Sequence, residues 1–161
     1  MIMTGQPALF RQTAFQGMAA LVLDVGFFTS QFRLCDKIAE YLGDLVAQSH
    51  DDPARYANFS ASLINEVIEL AFRSVHSGDR VEFNLLKGDD SVYLRVGFRC
   101  SEEQLALLRT VDRSRGSTPF PEPARDLMAL AHAVGVDVHT EIDRDDHITL
   151  TLEFVLSEGP R

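Results

Sequence analysis

Near the middle of this 161-residue chain, Asn65-Glu66-Val67-Ile68-Glu69-Leu70 places one amide and two carboxylates within two helical turns. Glu66 by itself reads as a helix-surface acid or a polar residue bordering a pocket. Leu70 lies one turn later on the same side, because residues i and i+4 share a face of a helix. Asn65 stands one residue off that row, and one residue turns a side chain by about 100° around the helix. Arg73 follows Glu69 by four and reads as its ion-pair partner. The other candidates are scattered. His139 shares a strand face with Asp137 and Glu141, and His147 falls on the next strand. Such a set could collect a divalent ion, although an acidic, solvent-facing hairpin side is the simpler reading. His50 and His132 occupy positions where a phosphoacceptor could lie, and nothing distinguishes them further. No Ser/His/Asp or Cys/His arrangement and no glycine-rich phosphate loop can be read. Cys35 and Cys100 are far apart and read as small buried apolar groups.

The element that must position Glu66 is the longest periodic segment, Asp52 to His76. Tyr56, Phe59, Leu63, Ile64, Val67, Ile68, Ala71 and Phe72 fall in steps of one, three or four, the stripe of a helix laid on a core. Asp52 caps it, Pro53 suits its first position, and Gly78 is its stop signal. Before it, Ala19 to Val25 is a compact apolar run of strand length, ended by Gly26. Thr29 to Gln48 is helical, with Phe32, Cys35, Ile38, Ala39, Leu42, Leu45 and Val46 on one face. After it come two alternating segments, Arg80 to Leu85 and Val92 to Phe98, around a Lys87–Asp90 turn. Ser101 opens a short helix carrying Leu105, Leu107 and Leu108. Asp112 to Pro123 reads as an exposed loop and Ala124 to Ala133 as a helix. A second hairpin joins Val136–Ile142 to His147–Leu156 through Asp143–Asp146. This order predicts an α+β fold, a two-layer sandwich with a mixed sheet of about five strands and helices on one face. Residues 1–18 form a tail or edge strand, 19–156 a single domain and 157–161 a second tail.

Composition narrows the function classes. Apolar residues make up 45%, the formal net charge is -9 and the sequence pI is about 4.9. A general nucleic-acid binder would show a basic face, and an anionic membrane would repel this balance. No apolar run approaches the ~20 residues that span a bilayer, and the start lacks the pattern of a signal peptide. The expected location is therefore cytoplasmic.

The order of elements, and Asn65-Glu66-Val67-Ile68-Glu69-Leu70-Ala71-Phe72-Arg73 within the long helix, resemble the ATPase domain of histidine kinases and anti-sigma kinases, the Bergerat or GHKL fold. The final helix and hairpin, from Leu127 to Phe154, fit the same likeness. More narrowly, ALVLDVGFF followed by FRLCDKIAEYL is similar to small stand-alone bacterial regulators of the Slr- and SiaB-like group. The resemblance implies that a Glu on this helix handles the attacking water and that an Asn four residues later binds Mg²⁺ between ATP phosphates. Here Glu66 holds the first position, but Leu70 holds the second. The adenine-binding D-x-G-x-G has no counterpart between Arg99 and Gly116, where only Asp112 and Gly116 stand, and Ser114–Ser117 is at most a remnant of the phosphate-wrapping glycines. The resemblance with these departures implies a degenerate, non-catalytic signalling module without cofactor or metal. It would bind a response regulator, a STAS-type partner-switching protein or a second copy of itself. Its contact surfaces would be the helix Phe32 to Val46 and the loop Arg113 to Pro123. The alternative is an ATP-dependent Ser/Thr protein kinase with Glu66 as acid/base, Mg²⁺ as cofactor and Asn65, Arg73 and Asp112 as nucleotide contacts.

Overall fold

The structure, a computed structural model, describes residues 14–28, 32–75, 79–102, 106, 122–143 and 146–156. The chain runs β1 (Gln16–Asp24), α1 (Val25–Phe28), α2 (Phe32–Ala47), α3 (Pro53–Ser74), β2 (Arg80–Lys87), β3 (Ser91–Arg99), α4 (Glu122–Val134), β4 (Asp137–Ile142) and β5 (His147–Val155). The strands form one five-stranded sheet in the order β1-β2-β3-β5-β4.

Every pairing in that sheet is antiparallel, which corrects the expectation of a mixed sheet. β2 runs against both β1 and β3, and β5 inserts between β3 and β4, antiparallel to each, so the parallel strands β3 and β4 are never hydrogen-bonded neighbours.

Alternation sorts the strand residues as a half-buried sheet requires. Rows of inner-face partners cross the sheet, such as Leu21, Phe83, Val96 and Leu150, then Leu23, Val81, Phe98 and Ile148. Phe83, Phe98 and Phe154 are among the largest fully buried side chains. Onto this face α3 lays Leu63, Ile64, Val67, Ile68 and Ala71, all inaccessible to solvent. The front of the expected stripe is not covered in the same way: Tyr56 is only half-buried, and Phe59 is 39% exposed.

Helix boundaries follow local chemistry. The Asp52 carboxylate accepts from the Arg55 N–H at 3.4 Å, and Pro53 takes the first position of α3. The helix ends at Ser74, before the expected His76. Gly135 follows α4 with φ +71°, a left-handed conformation that glycine adopts without a Cβ penalty. β1, at the edge of the sheet, starts at Gln16, inside the segment expected as a tail or edge strand, and ends at Asp24, where Val25 enters the short α1. α4 starts at Glu122, so the last two residues of the expected loop, Glu122 and Pro123, are helical. The expected helix from Ser101 to Leu108, Gly78, residues 113–121 and the tail 157–161 lie wholly or mostly outside the described residues. No helix of the described residues is long and apolar enough to cross a membrane.

Candidate functional site

Helix α3 packs against both α2 and α4. Within α3, Asn65 Nδ2 donates to Glu69 Oε1 at 3.3 Å, and Arg73 reaches Glu69 Oε2 at 3.3 Å. Glu69 also acts on α2: burial, then Asp36, then Glu69 push the Cys35 thiol above its usual range. Among the described residues, the buried Asn65 Oδ1 has no hydrogen-bond partner. This i,i+4 ladder thus brings together two of the sequence's alternative nucleotide contacts, Asn65 and Arg73, around a carboxylate on the same helix. Asp112, the third, lies outside the described residues.

Glu66 and Leu70 lie on the row that begins at Phe59, because steps of seven and four return to one side of a helix. Phe59 faces α4, where Leu130, Ala133 and Val134 line the same cleft. Glu66 is half-buried. Leu70 is 3% exposed and belongs to the main hydrophobic core. Magnesium takes oxygen ligands in near-octahedral geometry, which a buried isobutyl group cannot provide.

The apolar side of α2 is also committed. Cys35, Ala39, Leu42 and Val46 are buried. The outward side of α2 carries Arg33, Asp36, Lys37, Glu40, Asp44 and the 55%-exposed Tyr41.

The histidines do not converge. Among the described residues, no group of three or more His, Cys, Asp or Glu side chains could hold a metal ion. His139 lies across from Thr151 on the sheet. His147 turns instead to Asp143: its backbone N–H donates to Oδ1 at 3.1 Å, and its Nδ1 lies 3.8 Å from Oδ2. Its ring covers Gly97, where a Cβ would come within 3.0 Å of the imidazole. His50 accepts from the Asp52 N–H at Nδ1, 3.1 Å, while its buried Nε2 has no partner among the described residues. Neither ring nitrogen of His50 is therefore open to a phosphoryl donor, while His132 is exposed near the end of α4.

A cleft of about 430 Å³ opens between the N-terminal end of α3 and the C-terminal end of α4. His50 stacks on Tyr56 with centroids 3.8 Å apart and planes 6° off parallel. Tyr56 packs edge-on to Phe154, and its hydroxyl reaches the Val155 carbonyl at 3.4 Å. Sequence reasoning singled out Tyr56 and Phe59 only as core residues. The one signal for more was the polar run Ser49–Asp52 directly ahead of two aromatics.

Two remaining ionisable groups are structural. Burial, with Asp146 second, pushes the Cys100 thiol up to about 11. Tyr93 is raised by burial first and then by Glu153, to which its hydroxyl donates at 3.2 Å beside Ser91 at 3.0 Å.

Among solved structures, the chain is similar to the catalytic domain of histidine kinase ThkA. A nucleotide-free form with 1,2-propanediol matches at 9% identity, covering 88% of this chain and 100% of that one, with a TM-score of 0.51. A nucleotide-free form with isopropanol matches at 10% identity, covering 87% and 97%, with a TM-score of 0.48. No family model and no curated protein matches the sequence. The fold is thus that of a histidine-kinase-like ATPase domain, of the Bergerat class.

Proposed function

We propose that this protein is a non-catalytic signalling module, a degenerate histidine-kinase ATPase fold kept for contact with a protein partner. One observation carries the reading: at the position matching the family's metal-binding Asn, Leu70 is sealed in the core at 3% exposure. Hydrocarbon there leaves triphosphate charge uncompensated. Asn65 does not replace it, since it stands one residue off that row and its amide serves Glu69. The described residues therefore do not fit ATP with Mg²⁺ and support no phosphoryl-transfer step. The partner is a response regulator or a STAS-type protein, met through surfaces such as the charged outer side of α2 with Tyr41.

Calorimetry with ATP and Mg²⁺ tests this directly. The expected trace is flat, with a receiver or STAS-type protein recovered in a pulldown from native lysate. Micromolar ATP binding that disappears in Glu66→Ala would establish the kinase alternative instead.

A further inference from the structure

The cleft between α3 and α4 lies at the opposite end of α3 from Leu70. Phe59 and Leu70 are eleven residues apart, about 16 Å at helical rise, so the cleft is separate from the family's metal position. Its volume of about 430 Å³ lies within the range of ligand pockets. Leu130 and Val134 give it an aliphatic wall, and Phe59, 39% exposed, gives it an open aromatic ring.

That ring already holds a cation: the Arg55 guanidinium carbon stands 5.5 Å from the Phe59 centroid. Two carboxylates, Asp51 and Asp52, line the same cleft and are exposed. Among the described residues the Arg55 guanidinium closes no ion pair with either of them, and its charge rests on the ring. The C-terminal end of α4, where Ala133 and Val134 line the cleft, adds the negative pole of a helix. The positive pole at the start of α3 is already met by the capping Asp52 carboxylate and the Arg55 charge by the Phe59 ring, so an anion would still meet Asp51 and the negative end of α4. A cation would meet an aromatic face, two exposed carboxylates and a wall suited to a methylene stem.

We infer that the cleft receives an arginine or lysine side chain from a basic segment of a protein partner, with Arg55 as the internal stand-in that the incoming cation displaces. This rests on the reading that the protein works through partner contacts, and it names the chemistry of the contact. The net charge of -9 favours encounter with such a segment.

The test is an NMR titration of the isotopically labelled full chain with end-blocked hexa-arginine, and separately with hexa-glutamate. Hexa-arginine is expected to give saturable shifts centred on Phe59, Leu130 and Val134. Phe59→Leu should weaken binding about three- to fivefold, the scale of one exposed cation–π contact. Arg55→Met should tighten it by a similar factor, because the internal competitor is gone. General attraction to an acidic protein would spread the shifts over the surface and ignore both substitutions, which would overturn the proposal. So would hexa-glutamate binding at these residues and losing its affinity in Arg55→Met, which would make this an anion site. Because neither peptide probes the nucleotide position, failure here leaves the calorimetric result on ATP standing by itself.

Discussion

Gly43 on α2 lies against the backbone of Ala61 on α3: a Cβ at position 43 would stand 2.8 Å from the Ala61 nitrogen and 3.0 Å from the Ala57 carbonyl oxygen. The two helices approach this closely because no side chain separates them. Two effects oppose each other in Gly43→Ala. Alanine improves helix propensity by about 1 kcal/mol. Overpacking against backbone, which cannot rotate aside, costs about 1–3 kcal/mol. The clash should win, with a net loss of about 1–2 kcal/mol. Urea unfolding should show a lower midpoint with an unchanged slope.

Leu70→Asn restores the family's metal-ligand residue type at a buried position. Removing the buried leucine side chain costs about 2–5 kcal/mol, and the new amide must also be desolvated. The variant should lose at least about 2 kcal/mol of stability and gain no Mg²⁺·ATP affinity. Thermal melting and calorimetry on the same sample check both halves, and tight ATP binding by this variant would show that residue 70 alone keeps the nucleotide out.

Arg73 is 66% exposed in its side chain, and its Glu69 partner is 38% exposed. Solvent screens such a pair, so Arg73→Ala should cost no more than about 0.5 kcal/mol. Chemical denaturation of wild type and variant side by side decides this.

The Cys100 thiol is raised from 9.0 to about 11 on folding. Its neutral form is the folded one, so its contribution is fully present below pH about 9 and fades as pH climbs toward about 11. The full shift is discounted for partial solvation to about 1–2 kcal/mol. Urea midpoints between pH 8 and 11 should fall more steeply in wild type than in Cys100→Ala. Thiol reagents at neutral pH should label neither Cys35 nor Cys100 until the protein unfolds, since the two residues are 2% and 5% exposed.

Short-range periodicity was enough to specify the long helix, the two hairpins and most of the inner face. Alternation and the 3.6-residue stripe are written into neighbouring residues, and each strand or helix reveals its buried side without reference to the others. It also placed Glu66 and Leu70 on one row. Packing decided what pattern cannot express. α2 and α3 consume each other's apolar faces, leaving α2 only a charged outer side. β5 inserts between β3 and β4, so the sheet is antiparallel throughout. The cleft joins residues 50–59 to residues 130–134, and Tyr56 reaches Val155 across 99 positions of sequence. Contacts of that separation depend on how finished elements dock, and a local hydrophobic pattern carries no record of which neighbour covers it.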